Sequence, residues 1–215
     1  YVNWGNGLID FDSDGDLDIF IANGHTEDNI HLWDDSTAYR CPNFLMLNDG
    51  TGRFSNISTT AGSGLSPEKS SRGTAFDDLD NDGDVDVVIL NSRDKPTIIR
   101  NDTENANHWL EIRVIGVEAN RDCVGAQVAL IAGEWKRVAE VHSGRSYQSH
   151  FGSRLQFGLG DRTQVDRVEI RWLGGEKQTL ENVGVDRLIT VVQGTSCWSS
   201  RFSVPGGPCP PRETR

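Results

Sequence analysis

Two nearly identical acidic segments constrain this chain more than any other feature: DFDSDGDLD at 10–18 and DLDNDGDVD at 78–86. Each places an aspartate at every second position and a glycine at the sixth. Two carboxylates about 4 Å apart repel by roughly 1 kcal/mol in water, and by several times that at a lower effective dielectric. A hard divalent cation removes the repulsion, and an all-oxygen donor set of this density suits Ca2+. The spacing therefore implies two Ca2+ sites. Side-chain ligands fall at positions one, three, five and nine: Asp10, Asp12, Asp14 and Asp18, then Asp78, Asp80, Asp82 and Asp86. At position seven, Asp16 and Asp84 would offer their backbone carbonyls. Gly15 and Gly83 permit the positive φ that wraps a loop around an ion.

The EF-hand, a rival calcium loop, needs a bidentate Glu at position twelve and a helix on either side. Here position twelve is Ile21 or Ile89, and the flanks are short β-rich runs such as DIFIA and DVVIL. Each loop therefore joins two strands. A solvated hairpin turned by an Asp-Gly pair is the plain alternative, and it would have to occur twice with matching flanks.

The loops stand 68 residues apart (10 to 78), and their surroundings repeat with them: WGNGLIDFDSDGDLDIFIANG aligns with SRGTAFDDLDNDGDVDVVILNS. Each repeat reads as strand, acidic loop, strand, longer loop, strand, turn, strand. The third strand falls at 44–47 or 97–100. Asn48-Asp49-Gly50 announces a hairpin before a fourth strand at 53–57. Four antiparallel strands per repeat mark a propeller blade. At these residues the chain resembles FG-GAP/VCBS repeats, the blades of integrin α-chain propellers and of many secreted bacterial proteins. The resemblance implies that the ion at each loop braces a hairpin within a blade and is structural rather than catalytic.

After Asn105 the character changes. NHWLEIRVIGVEANRDCVGAQVALIAG, SGRSYQSHFGSRLQFGLGD and VDRVEIRWLGGEKQTLENV follow in order. Alternation such as Leu110, Ile112 and Val114 against Trp109, Glu111 and Arg113 marks half-buried strands. Seven are expected, at 109–117, 127–132, 136–142, 154–158, 165–172, 177–180 and 188–192. That number and spacing suit a small β-sandwich. The run resembles the ASPIC/UnbV domain, which follows FG-GAP repeats in cartilage acidic protein and in many bacterial surface proteins. Two residues depart from that pattern: Trp172-Leu173-Gly174-Gly175 stands where the family has Trp-Pro-x-Gly, and Cys123 where Gly or Ala is usual.

The expected fold is thus all-β. Two four-stranded propeller-type blades with Asp-rich Ca2+ loops span 1–105, a small ASPIC/UnbV-like sandwich spans 106–193, and an irregular Pro/Gly-rich arm spans 194–215. The opening YVNWGNGLIDF enters a strand at once, as in a mature or partial chain. The net charge of −11 comes largely from the loops, and the absence of a basic stripe argues against nucleic acid. There is no apolar run long enough to span a membrane.

Cys197 and Cys209 bracket the arm and could staple it. For Cys41 and Cys123 the sequence leaves both a disulfide and buried free thiols open. Asn56-Ile57-Ser58 and Asn101-Asp102-Thr103 match the N-glycosylation pattern. Ser143-Gly144-Arg145-Ser146 between His142 and His150 could tempt a hydrolase reading, but no G-x-S-x-G elbow is present. The five histidines show no zinc spacing. Trp33 and Trp198 are the tryptophans expected at the surface, where a glycan could stack. The function expected is a non-enzymatic, extracellular, secreted or cell-surface adhesion module stabilised by calcium. Its partner would be a protein or glycan. The alternatives are a subunit of a self-assembling fibre or surface layer that covers open blade edges, and a carbohydrate-binding accessory domain.

Overall fold

Because both acidic loops turn back on themselves, each forces its flanking apolar runs into an antiparallel hairpin. The computed structural model describes residues 1–118, 120–195 and 198–200. It is all-β and divides into two units. The first holds Tyr1–Asn105 and Gly144–Gly152; the second holds the described residues of 106–143 and 153–200.

In the first unit, β1 (Asn3–Ile9), β2 (Asp18–Asn23), β3 (Phe44–Asn48) and β4 (Phe54–Asn56) form one antiparallel sheet in chain order. A second sheet holds β5 (Ser71–Asp77), β6 (Asp86–Asn91) and β7 (Thr97–Ile99). The repeat extends to register: Asn3 pairs with Asn23 as Ser71 pairs with Asn91, and both hairpins carry an irregularity just after that pair. The second blade was expected to have four strands, and it has three among the described residues. The reason lies after β7. The first repeat turns at Asn48-Asp49-Gly50-Thr51-Gly52, with Gly50 and Gly52 at φ 78° and 83°. The second repeat continues as Arg100-Asn101-Asp102-Thr103-Glu104-Asn105, without glycine or an alternating apolar run.

Phe11, Phe20, Ala22, Leu65, Phe76, Val85, Val87, Ile89 and Phe151 form the core of this unit. Phe20 and Phe76 meet edge to face at 5.7 Å. Gly7 makes room for this: a Cβ there would stand 2.4 Å from the Phe76 ring. Gly7→Ala should therefore destabilise the unit by about 1–3 kcal/mol through overpacking, read as a lower midpoint in urea unfolding.

Segment 144–152, which the sequence places in the sandwich, packs with the repeats instead. The Ser146 hydroxyl accepts from the Asn6 N–H at 3.0 Å and lies 3.0 Å from the Thr74 hydroxyl. Tyr147 meets Trp4 at 4.8 Å, and Phe151 meets Phe76 at 4.8 Å. Its backbone crosses Gly73, where a Cβ would stand 2.8 Å from the Tyr147 carbonyl oxygen. The repeat-equivalent Gly5 is crossed in the same way by the backbone of β5, at 2.5 Å from the Arg72 oxygen. The segment thus lies against β5 as β5 lies against β1.

The second unit stacks two sheets around a separate core. One contains β8 (His108–Ile115), β11 (Leu155–Gly160), β14 (Arg187–Val192) and β15 (Trp198–Ser200), in the order β11-β8-β14-β15. The other contains β9 (Gln127–Ala132), β10 (Trp135–Glu140), β12 (Gln164–Arg171) and β13 (Lys177–Gly184), in the order β10-β9-β12-β13. Pairing is antiparallel except between β8 and β14. Leu110, Ile112, Val128, Leu130, Leu159, Val168, Ile170 and Ile189 meet between the sheets.

All seven strands expected in this half are present, with ends shifted by a few residues. The eighth, β15, corrects the reading of the arm as irregular: Trp198 pairs with Val191, and its ring packs on the core rather than standing at the surface. Cys123 adopts φ 54°, a left-handed backbone that explains why glycine suits this place. Cys41 and Cys123 are buried free thiols, one in each unit, so the disulfide between them does not form. The pairing proposed for Cys197 and Cys209 lies outside the described residues.

Candidate metal centre

Each acidic loop leaves and re-enters its hairpin at the same register, Ile9 opposite Asp18 and Asp77 opposite Asp86. Between these pairs the chain takes two left-handed steps. They fall at Ser13 (φ 58°) and Gly15 (φ 98°), and again at Asn81 (φ 64°) and Gly83 (φ 104°). The glycine step is legible in sequence. The step at position four is not, because serine there gives no sign of it, although asparagine is among the residues that tolerate it best.

These steps turn backbone N–H groups toward the carboxylates. Gly15 N donates to Asp10 Oδ2 at 2.9 Å, and Gly83 N to Asp78 Oδ2 at 2.9 Å. Position nine acts as a staple. Asp18 accepts from Phe11 N at 3.0 Å and from Asn48 N at 2.9 Å. Asp86 accepts from Leu79 N at 2.9 Å and from Asn101 N at 2.9 Å. Position five closes a small turn, with Asp14 accepting from Asp16 N at 2.7 Å and Asp82 from Asp84 N at 3.0 Å.

Of the ten aspartates, the structure gathers two groups of three. Ligand oxygens of Asp10, Asp12 and Asp18 lie within 4.8 Å of one another, and so do those of Asp78, Asp80 and Asp82. The carboxylates of Asp14, Asp16, Asp84 and Asp86 stand outside these groups. The first group is the more enclosed, with Asp10 and Asp18 buried; in the second, Asp80 and Asp82 are exposed.

Asp10 tests whether a cation fits. It is 7% exposed, and its Oδ1 is buried with no hydrogen-bond partner. A buried charged oxygen with neither water nor donor is strongly disfavoured. Without a cation this placement favours the protonated carboxyl over the carboxylate. Burial, then the charge of Asp14, pushes the Asp10 carboxyl up to about 8, against the downward pull of the Gly15 N–H. Burial likewise pushes Asp18 up to about 6 despite its two N–H donors. Asp84 rises to about 6, by burial and then by the charges of Asp82 and Asp78. Asp12 and Asp82 are also raised, burial being the larger cause in each. A cation at the first triad would give Asp10 Oδ1 its missing partner and hold Asp10, Asp12 and Asp18 ionised, and one at the second would hold Asp82 ionised. The two Asp-rich clusters could hold a metal ion, and their donors are oxygens throughout.

Asn101 ties the loops together, a role the sequence did not reveal. Its N–H binds Asp86 in the second loop, while its side-chain amide donates to the Phe11 carbonyl in the first at 2.8 Å. Further along, Asn105 donates to the Asp12 carbonyl at 2.9 Å. Asn101→Ala keeps the backbone donor and loses the bridge, so it should cost about 0.5–1.5 kcal/mol, measured by denaturant unfolding. Because the Asn101 amide nitrogen is engaged in this way, Asn56, exposed on β4, is the more accessible of the two glycosylation triplets.

The segment that invited a hydrolase reading has local structural partners. Ser146 is held between β1 and β5, and His150 Nδ1 accepts from the Gly144 N–H at 3.1 Å. Trp33 is 65% exposed, as expected.

Two family models match the chain. The one described as an FG-GAP-like repeat matches residues 10–89, from the first aspartate of the first loop through the second loop into β6. The one described as ASPIC and UnbV matches residues 116–197, which include β9 to β14. No curated protein matches the chain. In sequence and in the order of its parts, the chain carries an FG-GAP-like repeat segment followed by an ASPIC and UnbV domain.

Proposed function

We propose that this chain is a calcium-stabilised interaction module of the extracellular space or cell surface, and not an enzyme. The observation that carries the reading is the buried, partnerless Oδ1 of Asp10 within an oxygen-only triad. Oxygen donors of this kind favour Ca2+ over softer metals. Extracellular calcium modules work with Kd near 10⁻⁴–10⁻³ M, so sites of that affinity would be filled outside cells.

The outer faces of the two repeat sheets support an interaction role. On the first sheet Leu8 is exposed beside the half-buried Ile19, Ile21, Phe44 and Met46, and Leu17 is exposed in the acidic loop. On the second, Leu90 and Ile98 are exposed, and Leu79 is exposed in the acidic loop. Exposed apolar side chains gathered on one sheet face suit a contact site. The same faces favour a second reading, a self-assembling subunit, because β7 also ends its sheet with no strand beyond it among the described residues. The exposed Trp33 supports a glycan partner as the third reading.

Sedimentation velocity in millimolar Ca2+ and in chelator, with thermal unfolding alongside, separates these readings. A constant size with a calcium-dependent melting temperature is the result expected for a discrete module. Calcium-dependent growth into large assemblies would favour the fibre or surface layer. Stabilisation by added oligosaccharide would favour the glycan-binding reading.

A further inference from the structure

The two acidic loops differ first in a neighbour that the repeat makes comparable. The residue before Asn48, whose N–H binds Asp18, is Leu47; the residue before Asn101, whose N–H binds Asp86, is Arg100. Arg100 reaches back to the second loop, with its Nη1 at 3.4 Å from Asp80 Oδ2, and its other nitrogen pairs with Asp102. A second difference lies at position one. Asp78 Oδ1 already accepts two backbone N–H groups, from Asn81 at 2.6 Å and Asp82 at 3.2 Å. Asp10, more than nine-tenths buried, keeps its Oδ1 without a partner.

We infer that the loops are unequal cation sites: the first fills first, and Arg100 serves as a resident counter-cation that holds the second at lower affinity. The inference rests on the calcium reading above. A carboxylate oxygen with two hydrogen bonds has both lone pairs engaged, so an ion at the second loop competes with Asn81 and Asp82 for Asp78 Oδ1. An ion binding there also meets the Arg100 guanidinium at Asp80 and has to displace it. Asp102 keeps hold of Arg100 when Asp80 lets go, so the displacement leaves the arginine paired. In the first loop Leu47 carries no charge, and Asp10 Oδ1 gains a partner on binding. The chain would then respond to calcium in two steps, a tight one that completes the buried triad and a weaker one set by a surface ion pair.

Calorimetric titration of the metal-stripped full chain with CaCl2 tests this. The wild type should show two steps. Asp10→Asn should remove the tighter one and Asp78→Asn the weaker one. Arg100→Gln should tighten the weak step by about tenfold, the scale of one unit charge acting on a dication at ~6 Å in water, and leave the tight step unchanged. Leu47→Arg should weaken the tight step by a similar factor. Two identical steps in the wild type, or a weak step unmoved by Arg100→Gln, would overturn the inference while leaving calcium binding intact. If no heat and no melting shift accompany calcium at any concentration, the calcium reading itself fails.

Discussion

In excess Ca2+ the repeat unit should melt about 10 °C or more above its midpoint in chelator. A ligand that binds the native state alone adds about 2.7 kcal/mol at one hundred times its Kd. For a domain of ~100 residues, 1 kcal/mol moves the midpoint by about 4–8 °C. Asp10→Asn should remove most of the rise contributed by the first loop. In chelator the same substitution should leave the chain as stable as the wild type or more so. The reason is that Asp10 is buried beside Asp14 and Asp12, whose charges oppose its ionisation, while an amide oxygen can still accept from Gly15. Asp12→Ala and Asp80→Ala should likewise lose stability in calcium and much less in chelator. Equal losses in both conditions would mean that these carboxylates stabilise the fold without an ion.

The second large effect is an inversion of the pH dependence. In the metal-free chain Asp10, Asp18 and Asp84 titrate near 8, 6 and 6, all above the ordinary 3.8. Between those values the folded chain holds protons that the unfolded chain has released. Stability therefore falls as pH rises through this window, with a slope of about 1.4 kcal/mol per pH unit for each proton held. The stripped chain should melt higher at pH 5 than at pH 8. In excess calcium the carboxylates are held ionised and protons compete with the ion, so the order should reverse. Melting curves at several pH values, with and without calcium, read this directly. A stripped chain that gains stability from pH 5 to pH 8 would show that the buried aspartates are compensated within the protein.

Much of the site was legible because its chemistry is local. Alternating aspartates with a glycine at Gly15 and Gly83 show a turn and a charge problem at once, and the flanking apolar alternation shows the hairpins. The strands of the second unit were legible for the same reason. What escaped depends on distance in sequence. Nothing local in 144–152 shows that Tyr147 and Phe151 pack on Trp4 and Phe76. Nothing local in Asn101 shows that it spans from Asp86 to Phe11. The fourth strand of the second repeat, absent among the described residues, was expected because the alignment of 44–47 with 97–100 carries the expectation past the point where the repeat stops. Of the ten aspartates, alternation treated positions one, three, five and nine alike. The fold instead uses Asp18 and Asp86 as backbone staples and brings three residues of each loop together.

If these loops are calcium sites, equilibrium dialysis of the metal-stripped chain against radiolabelled Ca2+ at millimolar free concentration should give two ions per chain, falling to one in Asp10→Asn and to none when Asp78→Asn is added. A chain that retains no calcium above background, or a double variant that retains as much as the wild type, would contradict the assignment.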